Sequence, residues 1–582
     1  MAASHTQQIM LPGFNLPLNH TRQGKYSWDR TTLPNALDPQ DIYHGYIGNL
    51  LVHREIIMLQ IMNTISEKPD WDRKVFDDEI TAKWRKEISE SGQDVTPAMI
   101  DWILVEMRWK AKALKQEGTF TVFDHVGVVR SDTAIPQDLQ KALRDAVAPL
   151  ENIPVEAKDY HPGSDDKVLD LVHPSLFPLV YGRTRILPDR TMTVDDCLEH
   201  QGQGEVLPAP TDEESQGHGR EPFWRWRASN YKVFSQKFQW LPCDVQFAPD
   251  GGCRIASYIN NLHPVHHRDL YGVVEKMISH AIPQWDKSLT RTRQFNNTRI
   301  LYDRVEYLDR STPEPEWDEH GHEDNDDYDD EYEERRSEWW RTRPIKLPEP
   351  LSRFSPPQVS YEGAMNLREK FGETGLQVIV KLANIELSPE KPTYEGGSWH
   401  IEGQLNERIC ATAIYYYDSE NITESRLAFR HRAESIDDTH YEQDQHEFIH
   451  AVYGFGPDVD GHNDGHFTQD LGSVLCNEGR LLTFPNTVQH RVAPFALADP
   501  TKSGHRKILA LFLIDPNRRI ISTANVPPQQ AEWADGEDSL SGKLMTLEEA
   551  KEYRLELMKE RSVLQDTQNQ AFEVGSFSLC EH

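Results

Sequence analysis

Gly396-Gly397-Ser398-Trp399-His400-Ile401-Glu402-Gly403-Gln404-Leu405-Asn406-Glu407-Arg408-Ile409-Cys410-Ala411-Thr412-Ala413 decides how this chain is read. A His-x-Glu pair runs there directly into an apolar strand. Strand side chains alternate between two faces, so His400 and Glu402 point the same way and can address one metal ion. The spacing alone carries nothing in a chain with 25 His and 94 acidic residues. It recurs at His53/Glu55, His267/Asp269, His322/Asp324, His440/Glu442 and His462/Asp464. The strand that follows is what singles out His400.

Downstream, Gly479-Arg480-Leu481-Leu482-Thr483-Phe484-Pro485-Asn486-Thr487-Val488-Gln489-His490-Arg491-Val492 reads as a strand, a turn and a His entering the next strand. His490 then completes two imidazoles and one carboxylate, a set that leaves about three positions open on one face of Fe(II). Arg506 opens another strand, in Gly504-His505-Arg506-Lys507-Ile508-Leu509-Ala510-Leu511-Phe512. Its planar guanidinium suits the remote carboxylate of a dicarboxylic keto acid. Arg491 is the nearest rival for that role.

Working outward, the stretches 377–387, 409–417, 448–453, 480–484 and 508–514 are short, apolar or alternating, and separated by Gly, Pro, Asn and Asp. They predict an antiparallel sandwich or barrel. Helices are expected over 46–65, 77–89 and 96–118, the last with Thr96 as cap, Pro97 in the first turn and Gly118 as stop, and again over 546–565. The first 45 residues read as an arm. The stretch 314–336 contains Asp-Asp-Tyr-Asp-Asp-Glu-Tyr-Glu-Glu and reads as a solvated, disordered insertion at about 310–340. The expected organisation is an N-terminal arm and helical region over 1–158, a core over 159–535 and a helical tail over 536–582.

Composition narrows the partners. The chain has 582 residues, 37% of them hydrophobic, room for a large buried core. Its 62 basic against 94 acidic residues give a formal charge of -32, a field that repels nucleic acid and anionic membranes. No stretch approaches a membrane span and the opening residues lack signal-peptide character, so a soluble, cytoplasmic protein is expected. Its 6 Cys show no CxxC spacing, which argues against a disulfide framework or a zinc ribbon. His446-Glu447-Phe448-Ile449-His450 has the spacing of a zinc peptidase helix. Yet 448–453 reads as a strand, in which residues four apart lie roughly 13 Å from each other.

The ordered set His400, Glu402, His490 and Arg506 resembles that of the Fe(II)- and 2-oxoglutarate-dependent oxygenases. More closely, the chain is similar to the fungal domain of unknown function 4246 family. The resembling stretches are Trp399-His400-Ile401-Glu402-Gly403, Phe484-Pro485-Asn486, Val172-His173-Pro174-Ser175-Leu176, Gln239-Trp240-Leu241-Pro242 and Ser257-Tyr258-Ile259-Asn260-Asn261-Leu262-His263-Pro264. Glu402 departs from the commoner Asp. The resemblance implies an α+β fold with a double-stranded β-helix (jelly-roll, cupin-like) core, a helical N-terminal region and surrounding helices. It implies Fe(II) held by His400, Glu402 and His490, with 2-oxoglutarate chelating the metal and gripped at its far end by Arg506. The implied reaction uses O2 to oxidise an unactivated C–H bond, by hydroxylation or oxidative cyclisation, with release of succinate and CO2. A small amino-acid-like molecule in fungal secondary metabolism is the expected substrate. Trp399, Tyr394 and Tyr415 flank the expected pocket. Asn260, Asn261 and His263 are candidate substrate contacts, because such a polar run is costly to bury without a partner. Two alternatives stand beside this reading: an inactive jelly-roll scaffold docking through 314–336, and a zinc hydrolase using His446 and His450.

Overall fold

Long apolar strands, buried on both faces, form the centre of the molecule. The computed structural model describes residues 8–20, 32–43, 46–216, 233–290, 299–308, 313–316, 330–357, 364–434, 436, 439–443, 445–459, 465–534, 542–577 and 579. In chain order the main elements begin with helices α1 (His53–Ser66), α2 (Asp78–Ser89) and α3 (Pro97–Glu117). Strands β1 (Phe120–Phe123) and β2 (Val128–Ser131), helix α4 (Gln137–Glu151), and strands β3 (Val168–Val172), β4 (Cys243–Phe247) and β5 (Cys253–Ile255) follow. Helices α5 (Arg268–Leu289) and α6 (Asp330–Thr342) precede strands β6 (Leu376–Leu387), β7 (Ile409–Glu420) and β8 (Arg426–Arg432). Then come α7 (Glu447–Ala451), strands β9 (Thr468–Leu475), β10 (Leu481–Pro485), β11 (Gln489–Val492) and β12 (Gly504–Ile514), and helix α8 (Leu547–Glu573).

The result is a mixed α/β fold with several antiparallel sheets. The largest runs in the order β5-β4-β6-β12-β7-β10-β2-β1, with β3 also paired to β6; a smaller one runs β9-β8-β11. Neither closes into a barrel among the described residues. Leu376, Val378, Val380 and Leu382 of β6 share one face with Leu509, Leu511 and Leu513 of β12, packed against Leu143 of α4 and Val274 and Ile278 of α5. The opposite face carries Ile379, Phe512, Ala510 and Tyr416, which join Phe429 and Phe484 in the main core. Burial on both sides explains why these strands read as continuous apolar runs.

The helices at 78–89 and 97–117 form as expected. Thr96 Oγ1 accepts the Met99 N–H at 3.2 Å, and Gly118 closes α3 at φ +67°. The expected boundary at 158/159 falls between α4 and β3, whereas β1 and β2 before it are hydrogen-bonded into the large sheet through Leu481↔Ser131 and Thr483↔Val129. Residues 8–20 and 32–43 of the expected arm contribute Phe14, Leu18 and Leu37 to a buried cluster.

Two expectations are corrected. The stretch 448–453 is not a strand: residues 447–451 form the single turn α7, with the Val452 N–H on the Phe448 carbonyl at 2.8 Å and Gly454 ending it at φ +77°. Packing overrides β-propensity there, because Phe448 and Ile449 are consecutive and both bury into one cluster, which one face of a strand does not allow. The later part of the acidic insertion is the helix α6, where Arg336 pairs with Glu314 at 2.9 Å and the Arg343 guanidinium lies 4.1 Å from the Tyr307 ring and 4.5 Å from that of Trp339. Residues 317–329 lie outside the described residues. Among the described residues no helix is long and apolar enough to cross a membrane.

The N-terminal helices are tied together by charge. Arg299, buried, pairs with Glu106 at 2.6 Å, Asp124 at 2.7 Å and Glu55 at 3.0 Å. Removing the cation leaves three buried carboxylates with Lys110 and His125 as their remaining basic neighbours among the described residues, so Arg299→Leu is expected to destabilise the fold by about 3–5 kcal/mol. The shift is read from the urea unfolding midpoint, and an unchanged midpoint would show that the network does not hold the region together.

Candidate metal centre

His400 and His490 face each other across a single two-residue bridge. The His400 N–H donates to the His490 carbonyl at 3.2 Å and the His490 N–H returns to the His400 carbonyl at 3.1 Å. The ring centroids are consequently 4.3 Å apart. Glu402, two residues beyond His400, lies on the same side: its Oε1 is 3.1 Å from His490 Nε2 and 3.8 Å from His400 Nε2. One ligand atom from each of the three lies within 4.8 Å of the others.

The surroundings fix each donor. His400 Nδ1 lies 2.9 Å from the Ser398 carbonyl, so this nitrogen carries a ring proton and Nε2 is the one turned toward Glu402. Phe484 and Phe429 pack on the His490 ring, with centroids at 4.6 Å and 6.3 Å. Asn486 staples the carboxylate-bearing residue in place: its Oδ1 accepts the Glu402 N–H and its Nδ2 donates to the Glu402 carbonyl, both at 3.1 Å. Burial works to raise the Glu402 carboxyl, but the hydrogen bonds and charges of His400 and His490 outweigh it and hold the group well below the ordinary carboxylate range. Burial, and then the neighbouring His400, push His490 down; His400 is raised because Glu402 and the Ser398 carbonyl outweigh its burial. Two neutral-capable imidazoles converging on one ionised carboxylate form a donor set that fits a divalent transition metal, with open positions left for other ligands.

The C-terminal helix braces this arrangement from outside. Gln565 and Asn569 of α8 donate to the Trp399 carbonyl at 3.2 and 3.0 Å, and Asn569 accepts from Gln489 at 2.7 Å. The residue before each His ligand is thus held by the same helix.

Arg506 lies at the start of β12, 3% exposed, with Nη1 donating to Ser425 Oγ at 2.6 Å. Its guanidinium stands over Phe495 at 5.2 Å and Tyr416 at 5.6 Å. No carboxylate pairs with it among the described residues, and its Nε is buried without a partner. Arg491, the rival, is exposed and stacks at 4.5 Å on Trp399, which Arg430 covers from another side at 4.6 Å. Tyr394 stacks on Phe495 at 5.2 Å, close enough to Arg506 to feel its charge.

Other expected contacts are placed elsewhere. Tyr415 is on the helix-facing side of β7; strand alternation gives the interior position to its neighbour Tyr416. The Asn260 and Asn261 amides are used within the protein, donating to the Phe177 carbonyl at 3.0 Å and the His173 carbonyl at 2.8 Å. His263 stacks on His266 at 3.8 Å. His446 and His450 do sit on one helical turn, but they join no group of three ligand atoms among the described residues. His450 Nδ1 is instead 3.2 Å from the Phe455 carbonyl.

Sequence reasoning missed Asn486, the bracing by α8, and Lys381. The last carried a signal: Lys381 interrupts the apolar run Val378-Ile379-Val380-Lys381-Leu382-Ala383 of β6, a place where a charge is costly unless it serves something. Lys381 has no ion-pair partner among the described residues, and its charge acts on both His400 and His173.

Comparison with solved structures finds distant likenesses. IDO from Bacillus thuringiensis is 10% identical over 24% of this chain and 46% of its own, with a TM-score of 0.13. The Fe(II)/α-ketoglutarate-dependent dioxygenase TqaL is 16% identical over 29% and 51%, with a TM-score of 0.14. The non-haem monooxygenase ThoJ, in a nickel complex, is 9% identical over 33% and 67%, with a TM-score of 0.15. The chain thus spans about half the length of the first two. Likenesses of this size do not assign an activity. No curated protein matches the chain. Two family models do match: one described as protein of unknown function (DUF4246), over residues 97–537, and one for the N-terminal domain of DUF4246, over residues 11–87. The chain therefore belongs to the DUF4246 family.

Proposed function

We propose that this protein is a non-haem Fe(II)- and 2-oxoglutarate-dependent oxygenase acting on a small-molecule substrate. The observation that carries the reading is a His/Glu/His donor set together with a buried guanidinium, that of Arg506, which has no carboxylate partner among the described residues. A cation left unpaired in a protein interior costs several kcal/mol unless an anion arrives to match it. A dicarboxylic cosubstrate supplies that anion.

The path of the chain supports a double-stranded β-helix. After β6 it crosses to the His400 bridge beside β11, returns to β7, crosses to β8 and β9, returns to β10, crosses to β11 and returns to β12. Read as two facing layers, the spatial orders β6-β12-β7-β10 and His400-β11-β8-β9 would be those of the double Greek key of a jelly roll.

In this reading His400, Glu402 and His490 would hold Fe(II), with the two imidazoles neutral and Glu402 ionised. The bound metal, with 2-oxoglutarate and O2, would supply oxidation of an unactivated C–H bond and release succinate and CO2. Arg506 would bind the remote carboxylate through charge-assisted hydrogen bonds, its plane held by Ser425, Tyr416 and Phe495. The aromatic packing around His490 and Arg506 would exclude water from the reacting region. A small amino acid is the substrate class we carry forward, for hydroxylation or oxidative cyclisation.

The test is anaerobic addition of Fe(II) and 2-oxoglutarate, a visible charge-transfer band, then succinate after admission of air. His490→Ala is expected to lose both band and succinate; an unchanged band would sink the assignment of the ligands. Arg506→Ala should keep turnover at saturating 2-oxoglutarate while raising its apparent KM by about 30-fold or more, the consequence of losing about 2 kcal/mol. An unaltered KM would move the cosubstrate elsewhere. Asn486→Ala, which frees the Glu402 backbone, should weaken Fe(II) binding by about 10–100-fold in a competition titration, with the fold intact by circular dichroism.

A further inference from the structure

A second cluster of metal-binding residue types lies in the same fold and shares no residue with the first. His161, Asp170 and His173 bring one ligand atom each within 4.8 Å of the others. The segment 159–161 folds back along β3, with the His161 N–H on the Val168 carbonyl at 2.8 Å and the Asp170 N–H on the Asp159 carbonyl at 2.9 Å. That return places His161 Nδ1 2.8 Å from Asp170 Oδ2 and its ring centroid 5.1 Å from that of His173.

The independent observation is Asp170 itself. It is 7% exposed, and its Oδ1 is buried with no hydrogen-bond partner. A carboxylate oxygen in that state is costly unless a cation occupies the space it faces. The ring of His173 is held in position: its Nδ1 accepts the Ser175 N–H at 3.1 Å and its carbonyl accepts from Asn261 at 2.8 Å. With Nδ1 so engaged, Nε2 carries the ring proton and is the nitrogen that would meet a metal.

We propose that His161, Asp170 and His173 form a second site for a divalent transition metal. Two imidazole nitrogens and a carboxylate oxygen suit Zn(II), Fe(II) or Co(II), with His161, the most exposed of the three, at the entry side. Metal at His173 Nε2 requires the ring proton to shift to Nδ1 and the Ser175 N–H to turn away. The loss of that hydrogen bond makes this the weaker of the two sites. The inference stands independently of the oxygenase reading, because it concerns different residues.

The experiment is equilibrium dialysis of the chelator-stripped full chain against Zn(II), with elemental analysis of bound metal. The parent is expected to bind two equivalents, one tighter than the other. His490→Ala should retain only the weaker equivalent, while His161→Ala and Asp170→Asn should each retain only the tighter. A parent with no equivalent, or with a single equivalent that His490→Ala removes and His161→Ala leaves, overturns the second site. Two equivalents that both survive in His161→Ala overturn it as well. A single equivalent lost in His161→Ala but kept in His490→Ala supports the second site and counts against the first. His161 is partly exposed, so its variant keeps the test decisive if Asp170→Asn fails to fold.

Discussion

The reciprocal pair of backbone hydrogen bonds between His400 and His490 is the constraint on which the centre depends. Neither residue lies in a long strand at that point. The bridge, extended by the Gly397 N–H on the Val492 carbonyl at 2.9 Å, registers two distant segments so that both imidazoles face one carboxylate. Everything near it guards that register: Asn486 clamps the Glu402 backbone on one side, Phe429 and Phe484 fill the space beneath His490, and α8 takes hold of Trp399 and Gln489. A slip of one residue would turn every donor to the opposite face.

Charge in the interior separates architecture from chemistry. Arg299 and Arg480 are buried, and each is matched by carboxylates, Arg480 by Glu67 at 2.7 Å and Asp132 at 2.6 Å. These ion pairs join helices to the sheet and have nothing left to offer a ligand. Arg506 and Lys381 lie on the other side of that division, without acidic partners among the described residues. Proteins that leave a group unsatisfied inside tend to do so where something else completes it.

Much of this was legible in the sequence, for identifiable reasons. The strands at 376–387, 409–420, 481–485 and 504–514 announce themselves because burial on both faces gives them long runs of mainly apolar residues, such as Val378–Val380, Ala413–Tyr417 and Ile508–Ile514. The grouping of His400, Glu402 and His490 follows from strand alternation and order along the chain. What was not legible depends on tertiary packing. The turn at Phe448 and Ile449 has strand-like composition and becomes helical because both side chains bury together. Tyr415 and Tyr416 cannot be told apart until the helices covering one face are known. Asn260 and Asn261 read as candidate substrate contacts because a polar run is costly to bury, and in the structure their amides donate to the backbone of 173–177.

Helix α8 gives the centre an order of assembly. Its residues hold Trp399 beside one ligand and Gln489 beside another, meet Glu407 through Arg561 at 2.7 Å, and meet Asp159 through Arg554 at 2.5 Å. Ribosomes make these residues after all the strands they support. A nascent chain that has folded its sheets still lacks the outer wall of the centre, so the contacts that brace Trp399 and Gln489 would form only once α8 has emerged and docked. Under the proposed oxygenase reading, metal acquisition would then be the closing event of biosynthesis, and a partly synthesised chain would be spared holding a reactive metal in a half-built site.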